Sequence, residues 1–163
     1  MKPKVLWVED SARFELSNLT GPVYFSGKYD FQQAENVTTA INFLKTKEFD
    51  VLIVDIRLPP GVDKYWLDLY QNIRTDGGGE KLGLKFLYWL FSRDGEYPGT
   101  PPSWIHPSSV GIFTVETYSE ISVQLTDLGV TVFKQKIAGL PDTTLLEMIE
   151  DIIANKSRNK KAN

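Results

Sequence analysis

Cysteine is absent from the 163 residues, and histidine occurs once. Without cysteine there is no disulfide framework, no thiolate metal site and no thiol nucleophile, which accords with a reducing, cytoplasmic setting. Long apolar runs are missing too. Nothing approaches the roughly 20 residues that a membrane helix needs, so no membrane association is expected. The opening MKPKVLWVED carries two acids by its tenth residue and does not read as a secretory signal. A net charge of −3 offers no general attraction to nucleic acid, so no direct nucleic-acid partner is expected. The one basic stretch, KSRNKK near the end, reads as a solvated helix terminus. What remains, 42% hydrophobic and 24% charged residues, is the composition of an ordinary globular protein, and the length suits one domain.

Short apolar runs alternate with amphipathic stretches from end to end. VLWV (5–8), VLIVDI (51–56), VGIFT (110–114) and VTVF (130–133) read as buried strands, and a further strand lies in residues 23–25 or 29–34. A short helix is expected over 11–19, with Ala12, Leu16 and Leu19 on one face. Asn36 is placed to cap a helix carrying Val37, Ala40, Ile41 and Leu44. Thr117 and Glu120 make a capping box before Ile121, Leu125 and Leu128, which Gly129 ends. Thr144 and Glu147 make a second before Met148, Ile149, Ile152 and Ile153.

Strands spaced by helices imply βαβ units and a parallel sheet covered on both faces. The expected fold is α/β, a flavodoxin-like doubly wound sheet of five strands in the order 2-1-3-4-5, with its ligand site beyond the carboxyl ends of the strands. One domain is expected over 1–156, followed by a basic tail at 157–163 and no output domain. The stretch at about 58–109 breaks the rhythm, and loops this long are usually functional or partly disordered. Inside it Tyr65, Trp66, Leu69, Tyr70 and Ile73 fall at helical spacing behind Asp63, a possible cap. Phe86, Tyr88, Trp89 and Phe91 read as core packed partly against those aromatics.

Glu9 and Asp10 follow the first strand directly, and Asp55 ends the third. In a parallel sheet these positions are neighbours on one edge. Three crowded carboxylates repel and call for a cation; hard oxygen ligands of this kind suit Mg²⁺. Asp10 by itself is equally well explained as the cap of a helix opening at Ser11. Thr114 ends the fourth strand, and Lys134 or Lys136 lies at the end of the fifth. A hydroxyl and an ammonium there can stabilise negative charge on a transferring phosphoryl group.

The segments VLWVEDS, VLIVDIRLP, GIFTVET and GVTVFKQK together resemble the response-regulator receiver family over almost the whole chain apart from the insertion. The resemblance implies that Asp55 is the phospho-acceptor and that Thr114 is the switch hydroxyl. It implies Mg²⁺ held by Glu9, Asp10, Asp55 and the backbone carbonyl of Arg57. Lys136 is the expected phosphoryl contact, with Phe133 as the aromatic switch residue; a strand ending at Phe133 favours Lys134 instead. The implied donor is a sensor histidine kinase, a phosphotransfer protein or a small phosphodonor, and the implied recipient is an output protein that the sequence does not name. A monomer and a homodimer are both compatible with it.

Three features depart from the family pattern. Neither lysine is followed by proline, Val115 stands where a small residue is common, and the insertion after Pro59 and Pro60 is expected to cover the approach to Asp55. Two other functions compete with the phosphoryl switch. One is a receiver-like interaction module independent of phosphorylation. The other is a hydrolase with Asp55 as nucleophile, which lacks the usual second acid because Asp55-Ile56-Arg57 follows no Asp-x-Asp pattern. His106, in a Pro-rich loop, reads as structural or solvent-exposed, and the three glycines at 77–79 read as a flexible hinge, since no GK[ST] follows them.

Overall fold

The structure, a computed structural model, describes residues 1–12, 15–75, 81–91 and 99–162. Strands β1 (Lys4–Val8), β2 (Asp30–Ala34), β3 (Val51–Val54), β4 (Val110–Thr114) and β5 (Val132–Gln135) form one parallel sheet in the order β2-β1-β3-β4-β5. The helices are α1 (Thr20–Ser26), α2 (Val37–Thr46), α3 (Lys64–Thr75), α4 (Leu82–Leu90), α5 (Tyr118–Leu128) and α6 (Thr144–Ala162). This is the expected doubly wound arrangement.

The period-2 alternation of the strands divides the core. Leu6, Val8, Leu52, Val54, Val110 and Ile112 pack with residues of α2, α4 and α5. Val5, Trp7, Val51, Ile53 and Phe113 pack on the other face with Val23 of α1 and Leu145, Met148, Ile149 and Ile152 of α6. Because both faces are covered, β1 after Lys4 and the whole of β3 are apolar without a break. No described helix is long and apolar enough to cross a membrane.

Several local expectations hold. Asn36 accepts the Thr39 N–H at 2.8 Å, and Gly129 ends α5 at φ 80°. Asp63 Oδ1 accepts the N–H groups of Tyr65 and Trp66 at 3.0 and 3.3 Å, which starts α3.

Others need correction. Residues 29–34 supply β2, while 23–25 lie in α1. No helix spans 11–19: its described part is turn and a 3₁₀ segment at Ser17–Leu19. The helix starts later instead, at Thr20, and α1 holds Pro22 in its first turn, where the missing N–H is harmless. β5 starts two residues later than the apolar run. The Val130 N–H is taken by the Leu125 carbonyl at 3.0 Å, closing α5, so pairing begins at Val132 opposite Gly111.

Neither capping box forms. The Thr117 hydroxyl meets Ser119 at 3.2 Å, and the Glu120 carboxylate turns to Lys81 at 3.9 Å. Thr144 is already inside α6 and donates to the Pro141 carbonyl at 2.6 Å, while Thr143 reaches Glu147 at 3.3 Å. α6 continues without a break to Ala162, so the basic stretch expected as a tail is helical through residue 162.

The stretch at 58–109 contains two helices with different tasks. α4 is the crossover from β3 to β4 and is apolar nearly all round. α3 packs outside it, Trp66 edge-on to Trp89 at 6.3 Å. Before α3 the chain is tied to α2, because the Pro59 and Pro60 carbonyls accept the Val37 and Thr38 N–H groups, each at 3.1 Å. The glycines at 77–79 lie outside the described residues.

α4 lies against the end of β3. The Gly83 N–H donates to the Ile56 carbonyl at 2.8 Å, and a Cβ at Gly83 would fall 2.2 Å from the Asp55 carbonyl oxygen. The obstacle is backbone, which cannot rotate away. Gly83→Ala should therefore cost about 2 kcal/mol or more, despite alanine's better helix propensity. Urea unfolding measures this, and an unchanged or raised midpoint would contradict the close approach.

Candidate functional site

Hydrogen bonds carry the strand ladders past the strand ends and so position the acids. The Glu9 N–H donates to the Ala34 carbonyl at 2.8 Å, and the Asp55 N–H to the Val8 carbonyl at 3.1 Å. Since β1 and β3 are adjacent, Glu9, Asp10 and Asp55 meet, with one oxygen from each within 4.8 Å of the others. Glu9 and Asp55 are buried, and Asp10 is exposed. No described helix opens at Ser11, whose N–H instead donates to Glu9 Oε1 at 3.1 Å, so capping does not account for Asp10.

The ammonium arrives from the other side of β4. The Lys136 N–H donates to the Thr114 carbonyl at 2.7 Å, just past the last β5 pair. From there Nζ donates to Asp55 Oδ2 at 2.9 Å and also to Glu9 Oε2, and it sits 5.6 Å from the centre of the Phe113 ring. Lys134, inside β5, is exposed. Of the two lysines, Lys136 is the one joined to the acids.

Thr114 is fully buried, its Oγ1 accepting the Glu116 N–H at 3.4 Å. Val115 is half-exposed beside it. Phe133 packs edge-on against Tyr118 at 5.4 Å. The Arg57 N–H donates to Asp55 Oδ1 at 3.2 Å, which holds the loop after β3 against the carboxylate. His106, exposed in its loop, accepts the Ser108 N–H at 3.2 Å, a structural role as expected.

One group went unnoticed in the sequence. Glu116 is buried, and its carboxylate is met by Arg57 Nε at 2.6 Å and Lys81 Nζ at 3.8 Å. Burial would raise its pKa, but its contact with Glu120, the hydrogen bond from Arg57 and the Arg57 and Lys81 charges leave it lowered. The available signal was a shared offset: Arg57 and Glu116 each lie two positions beyond an expected site residue, Asp55 and Thr114.

The electrostatics of the cluster follow from three carboxylates facing one ammonium. Glu9 is pushed up to about 8, first by burial and then by the Asp55 charge, with Lys136 pulling the other way. Burial would lower Lys136, but Asp55 and Glu9 outweigh it and its pKa is raised. The donor set, all hard carboxylate oxygen with negative charge in excess, fits a divalent cation such as Mg²⁺.

No protein-family model matches the chain, and no curated protein matches it. Solved structures do. A CheY-like response regulator receiver domain protein from Methanospirillum hungatei superposes with a TM-score of 0.63 at 17% identity, covering 97% of this chain and 99% of that one. The non-phosphorylated HemR receiver domain from Leptospira biflexa gives 0.60 at 19%, covering 94% and 95%. The chemotaxis response regulator CheY4 of Vibrio cholerae gives 0.56 at 21%, covering 93% and 99%. At these identities the likeness is one of fold. The chain has the CheY-like receiver fold.

The raised pKa of Glu9 has a sign that can be checked. The folded protein holds this proton up to about pH 8, whereas an unfolded chain releases it near 4.5. Between those values the folded state binds more protons, so stability falls as pH rises. The raised Lys136 contributes below its ordinary value of 10.5 and does not titrate in that window. Urea unfolding in the presence of a chelator should therefore show stability declining from about pH 5 to 8, with a shallower decline for Glu9→Gln. Equal slopes for the two proteins would refute the assignment.

Proposed function

We propose that the protein is a phosphorylation switch that accepts a phosphoryl group on Asp55 and signals to an output protein. The observation that carries this reading is the convergence on Asp55: Lys136 Nζ lies 2.9 Å from Oδ2, and Glu9 and Asp10 share the same pocket at the switch point of the sheet. The donor is a phosphohistidine of a sensor histidine kinase or phosphotransfer protein, or a small phosphodonor.

An Asp55 oxygen attacks phosphorus in line. The bond from phosphorus to the donor nitrogen breaks, the imidazole leaves with the electron pair, and an acyl phosphate remains on Asp55. Mg²⁺, held by Glu9, Asp10, Asp55 and the Arg57 carbonyl, would supply positive charge against the phosphoryl oxygens. Lys136 orients the Asp55 carboxylate before transfer and contacts the phosphoryl group after it. Thr114 turns inward to a phosphoryl oxygen, and the Phe133 ring follows, changing the face that α5 and β5 present. Val115, at the rim, hinders attacking water and prolongs the acyl phosphate.

The described anchors of α3 are on α2 and α4, and Asp10 and Val115 at the rim are exposed. Those features support a donor that approaches the buried Asp55 across the exposed rim at Asp10 and Val115.

Incubation with Mg²⁺ and acetyl phosphate should add the mass of one acid-labile phosphoryl group. Asp55→Asn should abolish the adduct, and Lys136→Ala should slow its formation by about a hundredfold. Intact mass spectrometry decides: no adduct, or one that survives Asp55→Asn, sinks the proposal.

A further inference from the structure

Glu116 is a buried carboxylate that the phosphoryl chemistry above leaves unused. Its side chain is 2% exposed, whereas that of its partner Arg57 is 50% exposed. Arg57 is tied at both ends. Its N–H is on Asp55 Oδ1 at 3.2 Å, and its Nε is on Glu116 Oε1 at 2.6 Å. The Glu116 N–H in turn holds Thr114 Oγ1 at 3.4 Å. An arginine anchored beside the modified residue has the fork geometry that phosphate oxygens favour. A phosphoryl group on Asp55 would bring nearly two negative charges next to it. Glu116 and the phosphoryl group are thus rivals for one guanidinium.

We propose that Arg57 is a charge-exchange latch: Glu116 holds its guanidinium in the unphosphorylated protein, and the phosphoryl oxygens on Asp55 take it over on modification. The inference rests on the phospho-acceptor reading of Asp55. Glu116 is then a positioning residue that acts through Arg57. After the exchange its carboxylate keeps Lys81, at the start of α4 and 3.9 Å from Glu120 of α5. Release of Arg57 therefore reaches both helices at the point where the 58–109 segment enters α4.

The test is a beryllofluoride titration with Mg²⁺ of the wild type, Glu116→Gln, Arg57→Ala and the double variant. Removing the rival charge should tighten binding about three- to tenfold, and the gain should vanish when Arg57 is alanine. Binding by Glu116→Gln that is equal or weaker, in a protein with the wild-type unfolding midpoint, overturns the latch. So does a gain that persists without Arg57. A second readout needs no variant: the Arg57 Nε–H resonance of the ¹⁵N-labelled wild type should shift when beryllofluoride binds, and an unmoved resonance also overturns the latch. Failure of both wild type and Glu116→Gln to bind beryllofluoride removes the phospho-acceptor reading and the latch together. Binding by the wild type with no gain in Glu116→Gln removes the latch alone.

Discussion

The crowding of like charge at the ends of β1 and β3 is the constraint around which the site is organised. Glu9 and Asp55 are buried on adjacent strands, with Asp10 at the rim, and a buried carboxylate is costly unless it is paired. One ammonium must therefore reach both. It can do so because β4 separates β3 from β5 and because the Thr114 carbonyl captures the Lys136 N–H at 2.7 Å. The two-residue delay in β5 has a consequence here. It moves the strand end to Gln135 and turns the next residue, Lys136, toward the acids while Lys134 stays in solvent. Burial first, and then the Asp55 charge, raises Glu9, and the excess of negative charge makes the pocket hospitable to a divalent cation.

Backbone contact supports this edge from beneath. α4 approaches β3 so closely that only hydrogen fits at Gly83, and the Gly83 N–H satisfies the Ile56 carbonyl directly after Asp55. The extra chain around α4 leaves this contact intact. α3 is held outward by Trp66 on Trp89 and by Asp63, whose N–H donates to the Thr38 hydroxyl at 3.1 Å. A long insertion is tolerated there because the cost of closing a loop grows slowly with its length.

The features read correctly from the sequence were those with local causes. VLIVDI pairs on both sides within the sheet, and Asn36, Asp63 and Gly129 each cap through atoms a few residues away. The misread ones were decided by competition. The Leu125 carbonyl claimed Val130 from β5, and the Glu120 carboxylate lies toward Lys81 and not in its capping box. In each case the local pattern was genuine, and a partner it could not register was stronger.

By itself the sequence determined the parallel α/β fold and the gathering of Glu9, Asp10, Asp55 and Thr114 at one edge. Strand periodicity and the crossover rule suffice for that, since residues that end parallel strands share an edge. Only the tertiary structure decided between the two lysines, because they differ by two positions and the choice depends on where β5 stops against β4. Only the tertiary structure, likewise, joined Glu116 to Arg57 and Lys81. Those residues come from three separate connections, and no spacing along the chain encodes the distance between them.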